Sequence, residues 1–529
     1  MMSKKFILFL SLAALMLISG IGSWGLTESS EARYAEISKE MFDRQDFVNP
    51  TLLGIKHFHK PPVTYYLTMA GYALFGTNEF GARFFLQIAF LIQLILVYKL
   101  SLLLFKKERI GLWAAFIYFT LPLALISVRN LTTDAYLNTF ILASVYSYVK
   151  FREVNQYQYL YLFFALLGVI FETKGPVGWL IPIVFIIGLR GKFKFSIHTV
   201  LGMFLMLLIS ASWYIMVALR NPELLDYFIN HQLVDRVAND SFSRAKPFWY
   251  YFAFAPLLGI PWFILLISKA KTTSKSLWHY SRYTKALLIA LGVFFIILSL
   301  SKSKLPLYVL PLYPFLAIFA AYLYSEIFKR TYNQLNFIFG VIVCLGLSIL
   351  PFLKLNIEVP KTQALIIAIL GIGILCISYF KGKFLNQEQT LLLGIINSCL
   401  ILVAFIFVFN HNESELNSPK PMAEYILKEH QDAKVVVFNE LLPSVSFYLD
   451  RMIITVNNGK YTTQRETQFE SDKDYTRFLI NYKTEQSRFD DLLKENTVLI
   501  IKKKNKLKTD FSKSFNHEKV FGKYSLLYN

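Results

Sequence analysis

Charged and polar side chains that could do chemistry gather in one stretch near the N-terminus of the chain. Two acidic residues, Glu28 and Glu31, stand just before Arg33, and His59 and Lys60 follow further along. Carboxylates can accept a proton, cations can hold an anionic group, and imidazole nitrogens can bind a metal such as zinc. These residue types predict a polar site, provided that the fold brings them to one surface.

Two of these acidic residues also have a simpler explanation. The stretch from Glu31 to Met41 has helical spacing with an apolar face, which predicts an amphipathic helix lying on a membrane surface. Acidic residues at the start of a helix stabilise it, so the simpler reading of Glu28 and Glu31 is that they only cap the helix. Asp134 is different, because it stands between two apolar runs, where an acidic side chain is costly unless it caps a helix or has a function.

The elements that must position these residues are membrane helices. The chain has 529 residues, of which 55% are hydrophobic and 17% charged, and its mean hydropathy is +0.44. A helix needs about 20 apolar residues to span a bilayer, and we count about thirteen such runs. They lie near residues 6–25, 80–104, 110–127, 135–149, 157–172, 176–189, 198–219, 249–268, 284–300, 306–325, 335–353, 363–380 and 390–410. The first run resembles a signal peptide, but the many runs after it favour an uncleaved anchor.

The net charge of +20 indicates the orientation of these spans. Lysine and arginine recur after every second span, which the positive-inside rule assigns to the cytoplasm together with the N-terminus. The outer side then receives residues 26–79, the turns near Asp134 and Lys174, the loop 220–248, the turn at 301–305 and everything after about residue 411. Because the charge is explained by topology, it does not call for nucleic acid as a partner.

A change of composition near residue 411 predicts two domains, a membrane domain over residues 1–410 and a small outer α/β domain over 411–529. Predicted strands are Val435–Phe438, Met452–Val456 and Val498–Ile501, and predicted helices are Ala423–His430 and Tyr475–Tyr482. The lysine-rich run 502–508 is either a solvated face or a contact with anionic lipid.

Several short motifs, in order through roughly the first 320 residues, resemble one family of membrane enzymes. They are Glu31-x-Arg33-Tyr34-Ala35-Glu36-Ile37, Lys60-Pro61-Pro62, Asn78-Glu79-Phe80-x-Ala82-Arg83, Thr132-Thr133-Asp134, Thr173-Lys174-Gly175-Pro176, His231-x-x-x-x-Arg236, Pro247-Phe248-Trp249-Tyr250-Tyr251 and Ser303-Lys304-Leu305-Pro306-x-Tyr308-x-x-Pro311. Together they resemble the bacterial aminoarabinose transferases and protein mannosyltransferases, glycosyltransferases of the GT-C class.

The resemblance implies an activity and its partners. Such enzymes move a sugar from a polyprenyl phosphate, undecaprenyl phosphate in bacteria, to lipid A, another glycolipid, a protein or a cell-wall polymer. We expect inversion at the anomeric carbon, no nucleotide cofactor and a location in the inner membrane with the C-terminal domain in the periplasm. The identity of the sugar and of the acceptor stays open.

The resemblance also assigns roles to residues. It implies that Lys60, Arg236 and Tyr308 contact the donor phosphate, and Lys304 and Arg33 are near enough in sequence to join them. Phosphate leaves readily as an anion, so cations and one carboxylate base suffice for this chemistry. We assign the base to Glu31, with Glu28 and Asp134 as the other candidate catalytic carboxylates.

Two departures from the family pattern affect these roles. Ser30 stands where the family usually has Asp, and a serine cannot replace a carboxylate as base near neutral pH. His59 stands where the aminoarabinose transferases tend to have Glu before Lys-Pro-Pro. In the family, that Glu and an outer-loop His, here His231, are associated with a metal. A divalent metal such as zinc on His59 and His231 is one reading, and packing or phosphate contact by His59 is the other.

A transporter is the strongest rival to an enzyme, since many spans and a positive charge suit both. Transporters usually place ionisable groups near the middle of the membrane and often show internal repeats. Here the spans carry few charges, the charges collect at their outer ends, and no repeat is evident. A membrane scaffold would not explain the clustered charges, whereas a glycan polymerase or ligase remains a close enzymatic relative.

Overall fold

Long apolar helices dominate the chain up to His411 and a six-stranded sheet dominates the remainder. The computed structural model describes residues 3–189, 196–224, 246–264, 282–326, 330–353, 355, 357–380, 387–459, 467–470, 474–507 and 509–529. Its helices before the sheet are α1 (Lys4–Ile18), α2 (Ser30–Arg44), α3 (Val63–Phe75), α4 (Glu79–Phe105), α5 (Glu108–Phe119), α6 (Pro122–Ser127), α7 (Thr133–Val154), α8 (Tyr157–Lys174), α9 (Leu180–Gly188), α10 (Ile197–Arg220), α11 (Tyr250–Leu258), α12 (Arg282–Leu300), α13 (Tyr313–Glu326), α14 (Arg330–Ile349), α15 (Lys361–Phe380) and α16 (Gln387–His411).

The predicted apolar runs coincide with these helices wherever the structure describes them, which confirms a polytopic α-helical membrane fold. Seven segments of the described chain are long and apolar enough to span a membrane, judged by length and composition. Shorter pieces account for the other runs. Pro122, for example, ends the helical run after Phe119 and starts α6, because proline lacks the N–H that a helix interior requires. The predicted number of about thirteen spans therefore stays a prediction.

Residues 19–78, between α1 and α4, contain nearly all of the predicted outer segment 26–79 and are called the outer loop. Helix α2 carries the predicted amphipathic segment and ends at Arg44, and the next residue, Gln45, closes the last turn with a φ of 52°. A hairpin of β1 (Thr51–Leu52) and β2 (Ile55–Lys56) follows, turning at Gly54 with a φ of +75°, which glycine adopts without strain. Helix α3 has 13 residues, too short to span a bilayer.

The residues after His411 form the outer domain. Its strands are β3 (Lys434–Phe438), β4 (Ile454–Asn457), β5 (Leu479–Asn481), β6 (Thr497–Lys502), β7 (His517–Phe521) and β8 (Tyr524–Tyr528), and its helices are α17 (Lys420–Glu429), α18 (Pro443–Leu449), α19 (Gln486–Lys494) and α20 (Lys503–Lys506). The sheet order is β5-β4-β3-β6-β8-β7, with parallel pairing from β5 to β6 and antiparallel pairing beyond. This confirms the predicted small α/β domain.

One predicted element of the outer domain is wrong. Tyr475–Tyr482 was predicted as a helix, but the structure has a 3-10 turn at Asp474–Arg477 and then β5. Ile480 pairs with Val456 of β4 and both side chains are buried. Pairing with a neighbouring strand thus outweighs the local helical pattern, and only the folded chain supplies that neighbour.

The outer domain packs on the outer loop through α18, which contacts α2. Polar bonds tie the two parts together. Lys420 pairs with Glu79 at 2.8 Å, Lys39 with Asp450 at 2.6 Å, and the Tyr448 hydroxyl accepts a hydrogen bond from Leu26 N at 2.6 Å. In the lysine-rich run, Lys502 pairs with Glu440 at 2.6 Å and Lys506 pairs with Glu518.

Candidate active site

An ion pair between Asp134 and Lys174 lies where two membrane helices end. Asp134 occupies the first turn of α7, and Lys174 is the last residue of α8, which packs along α7. The Lys174 Nζ atom is 2.6 Å from Asp134 Oδ1. The Lys174 side chain is 14% exposed and the Asp134 side chain 12% exposed, so a ligand can reach the pair. An acidic residue at a helix start and a cation at a helix end both suit the helix dipoles.

Two tyrosines border this pair. Lys174 Nζ lies 4.6 Å from the centre of the Tyr308 ring, close enough for a cation–π contact. Tyr308 belongs to a 3-10 turn at Pro306–Leu312, and the Tyr251 hydroxyl fixes the start of that turn by donating to Leu305 O at 3.0 Å. On α2, burial and the nearby Asp134 carboxylate raise the pKa of Tyr34 to about 12, so its hydroxyl stays protonated. Arg33 is its half-buried neighbour on α2.

Glu31 lies in a closed environment, unlike Asp134. Arg83 of α4 donates from Nε to Glu31 Oε1 at 2.8 Å and from Nη2 to Glu31 Oε2 at 3.1 Å. The Thr27 N–H and hydroxyl each add a bond of 2.9 Å, and Leu131 N adds one of 3.1 Å. Both side chains of the ion pair are 0% exposed. This arrangement favours a structural role for Glu31, and the predicted role as base lacks a route for an acceptor.

The other acidic candidate, Glu28, faces the outer domain. Its Oε1 accepts hydrogen bonds from Ser444 N at 2.9 Å and from the Ser444 hydroxyl at 2.7 Å, while Oε2 is buried without a hydrogen-bond partner among the described residues. Burial is the main cause that raises the pKa of Glu28 to about 7, although Ser444 and the charge of Arg33 act in the opposite direction. Glu28 therefore joins the outer loop to the outer domain.

Lys304 is buried and points to main-chain oxygens. Its ammonium donates to Lys246 O at 3.1 Å and to Ser301 O. Burial lowers the pKa of Lys304. These bonds close the outer end of α12 and so support the turn that carries Tyr308, which makes Lys304 a positioning residue in this structure.

The predicted metal and phosphate residues of the outer loop lie before α3. His59 and Lys60 are half-buried, and the His59 ring stacks edge-on against His57 at 4.6 Å and Phe469 at 4.8 Å between centroids. Among the described residues, no three His, Cys, Asp or Glu side chains are close enough to hold a metal. Zinc usually needs four ligands, so His57 and His59 alone do not complete a metal site, and the metal stays a prediction. His231 and Arg236 lie outside the described residues.

Sequence reasoning did not assign roles to three residues that the structure brings forward. Lys174 and Arg83 stand in the quoted motifs, but their partners become apparent only when α8 meets α7 and α4 meets the outer loop. Glu172 is the third. It is 4% exposed, accepts a hydrogen bond from Trp213 N at 3.2 Å, and its Oε2 lacks a hydrogen-bond partner within the described ranges. The sequence could have pointed to Glu172, because an acidic residue in an apolar run is costly unless it has a function.

Comparisons with known proteins relate the chain to membrane glycosyltransferases. Residues 59–215 match the family described as dolichyl-phosphate-mannose-protein mannosyltransferase. The chain is 28% identical over 446 residues to an undecaprenyl phosphate-alpha-4-amino-4-deoxy-L-arabinose arabinosyl transferase of Photorhabdus laumondii, covering 80% of this chain and 78% of the relative. It is 27% identical over 484 residues to the protein of the same name from Pectobacterium atrosepticum, covering 86% and 84%.

The fold has a counterpart among solved structures. ArnT from Cupriavidus metallidurans, in a crystal structure bound to undecaprenyl phosphate, superposes with a TM-score of 0.80 at 20% identity, covering 98% of this chain and 97% of that one. The same protein in its apo state gives a TM-score of 0.79. At this identity the likeness shows the fold, which confirms the GT-C architecture over nearly the whole chain.

Proposed function

We propose that this chain, a multi-pass membrane glycosyltransferase of the GT-C class related to the aminoarabinose transferases, transfers a sugar from an undecaprenyl-phosphate donor to lipid A. The names of the relatives support this donor, and the similar ArnT structure holds undecaprenyl phosphate. The observation that carries the proposal is the partly exposed Asp134–Lys174 pair beside Tyr308 and Tyr34.

The cations and phenols of this site suit a phosphate. Lys174 offers two further N–H donors beyond its bond to Asp134, and the Tyr308 and Tyr34 hydroxyls can donate as well. Arg33, Lys60 and Arg236 would complete the donor site. As the bond between the anomeric carbon and the phosphate oxygen breaks, these groups would stabilise the negative charge that moves onto the phosphate.

Asp134 is the carboxylate best placed to act as base. Its Oδ1 accepts from Lys174, and its Oδ2 makes no hydrogen bond with the part of the chain that the structure describes. In the proposed step, an acceptor oxygen attacks the anomeric carbon from the face opposite the phosphate, its proton passes to Asp134, and the configuration inverts. Glu31 is fully bonded to Arg83, Thr27 and Leu131, so it would hold the outer loop in position.

The reaction would take place at the outer face of the inner membrane. The lysine and arginine pattern of the short loops supports a cytoplasmic N-terminus and a periplasmic outer domain. The candidate site lies on the side of the outer domain, since Glu28 of the outer loop bonds to Ser444 while Tyr34 of that loop borders Asp134. Access from the outer leaflet would suit a lipid-linked donor.

The test is mass spectrometry of lipid A from cells with the gene, without it, and with a Lys174→Ala variant, beside Lys494→Ala on the exposed surface of α19 as control. We expect a mass increment of one sugar on lipid A that disappears in the deletion strain and in the Lys174 variant. The same increment on protein or cell-wall glycan would change the acceptor. Substrate flux across vesicles without a covalent product would instead favour a transporter and defeat the proposal.

A further inference from the structure

A polar cavity of about 420 Å³ lies where the outer loop meets the outer domain, apart from the Asp134–Lys174 pair. The end of α2 and the β1–β2 hairpin form one wall, which includes Arg44 and Asp46. The outer domain forms the other wall with the 3-10 turn at Asp474–Arg477 and with Phe478. The cavity therefore exists only while the two parts are docked.

The first wall is held in place by its own hydrogen bonds. Asp46 accepts from Val48 N at 2.9 Å, from Asn49 N at 3.2 Å and from the Arg220 guanidinium at 3.1 Å. Asn221 donates to the Asn49 side chain at 2.8 Å. Partial burial acts to raise the pKa of Asp46, but these hydrogen bonds and the charge of Arg220 outweigh it, so the pKa is below its ordinary value. Asp46 is therefore ionised near neutral pH.

The lining suits a sugar better than a simple anion or an apolar chain. Three cations and three carboxylates line it, namely Arg44, Lys56, Arg477, Asp46, Glu470 and Asp474. Neither sign of charge dominates, so the lining offers both hydrogen-bond donors and acceptors. The rings of Tyr475 and Phe478 add apolar faces. Hydroxyl-rich sugars need mixed donors and acceptors together with such faces.

Trp213 connects this cavity to the candidate active site. Its Nε1 donates to Val48 O at 3.0 Å, next to Asn49 of the cavity wall, and its backbone N donates to Glu172 at 3.2 Å. Glu172 precedes Lys174 by two positions on α8. Trp213 thus links the cavity wall to the end of α8, the helix that carries Lys174.

We infer that this cavity binds the sugar headgroup of the glycolipid acceptor. The inference rests on the proposed function, because an acceptor exists only if the chain transfers a sugar. The donor sugar must lie at the phosphate beside Lys174 and Tyr308, which leaves the separate cavity for the other substrate. The structure places Arg44 and Arg477 on opposite walls, where both can hold the same headgroup.

The experiment replaces these two exposed arginines in the detergent-solubilised full chain. Arg44→Gln and Arg477→Gln are compared with Arg488→Gln, which changes a partly exposed arginine of α19 outside the cavity. Lipid A is the acceptor probe and the undecaprenyl-phosphate sugar is the donor. We expect each cavity variant to raise the acceptor KM by about tenfold, with kcat and donor KM within about twofold of the unmodified chain. Direct binding of lipid A should weaken by the same factor.

Each outcome is informative. An unchanged acceptor KM and unchanged lipid A binding in both cavity variants would overturn the inference and leave the proposed function intact. A rise in donor KM alone would assign the cavity to the donor and also overturn it. If the unmodified chain transfers no sugar, the proposed function fails, whereas the binding measurement still decides whether the cavity takes lipid A. Unchanged melting temperatures would show that the variants are folded.

Discussion

Two ion pairs near the predicted outer ends of the membrane helices have similar chemistry and different surroundings. In the sealed pair, Arg83 Nε is 2.8 Å from Glu31, and both side chains are 0% exposed. In the open pair, Lys174 Nζ is 2.6 Å from Asp134, and the side chains are 14% and 12% exposed. Distance does not separate the two pairs, but access to solvent and to substrate does.

The sealed pair has bonded all its polar atoms to the protein. Arg83 also donates to Ile21 O at 2.8 Å, Trp24 O at 2.9 Å and Gly25 O at 3.1 Å, so it joins α4 to the start of the outer loop. The open pair keeps spare donors on Lys174 and a spare oxygen on Asp134. A charged group that is buried and makes all its hydrogen bonds within the protein maintains the fold, whereas one with a free hydrogen-bond donor or acceptor can act on a ligand.

The largest expected effect is on activity, at the open pair. Asp134→Asn removes the proposed base, and Lys174→Ala removes a cation from the proposed phosphate site. We expect kcat to fall by about 10³-fold in either variant, about 4 kcal/mol of transition-state stabilisation, with little change in melting temperature. Steady-state transfer assays on the purified chain measure this, with the exposed Asp43→Asn of α2 as the matched control. Full activity in Asp134→Asn would remove Asp134 as the base.

The next effect is on stability, at the sealed pair. Arg83→Met leaves Glu31 buried without its cation, which typically costs about 3–5 kcal/mol. We expect a marked loss of monodisperse protein and a lower melting temperature. The double variant Glu31→Leu with Arg83→Met should regain part of this stability, since it removes both charges. A Glu31→Gln variant that melts normally but transfers no sugar would invert the comparison and make Glu31 catalytic.

The contrast between the pairs also shows what the sequence can predict. Hydropathy located the membrane helices, and an acid between two apolar runs was enough to single out Asp134. The order of preference between Glu31 and Asp134 was not available from the sequence, because Arg83 is 52 positions from Glu31 and Lys174 is 40 positions from Asp134. Such separations are closed by helix packing, and local patterns do not encode which acid becomes sealed.

A cavity between two parts of the chain is harder still to predict. Its walls combine the end of α2 with the turn at Asp474–Arg477, a segment that the local pattern wrongly assigned to a helix. Predicting this cavity would therefore require the correct secondary structure of that segment. It would also require contacts between residues more than 400 positions apart, such as the 2.6 Å hydrogen bond from Lys56 N to Glu470. Burial, charge and partners of each residue become known only after both are fixed.

The smallest expected effect concerns Glu28, which forms no ion pair with the residues the structure describes. Burial raises its pKa to about 7 from an ordinary 4.5, so the folded chain holds a proton that the unfolded chain releases. Stability from this group is complete below about pH 4.5 and is lost as the pH rises through about 7, a loss on the order of 3 kcal/mol. Glu36, whose pKa burial and the neighbouring Glu40 raise to about 8, acts in the same direction.

Glu28→Gln should therefore flatten the decline of melting temperature between pH 5 and pH 8, and adding Glu36→Gln should flatten it further. Thermal unfolding of the detergent-solubilised chain across this range measures both slopes, with the exposed Glu429→Gln of α17 as control. Equal slopes in Glu28→Gln and in the unmodified chain would mean that Glu28 is ionised at its contact with Ser444. Glu28 would then be a buried, charged carboxylate like Glu31, but without a cation such as Arg83 beside it. Exposure to solvent would then no longer be enough to distinguish structural acids from reactive acids in this protein.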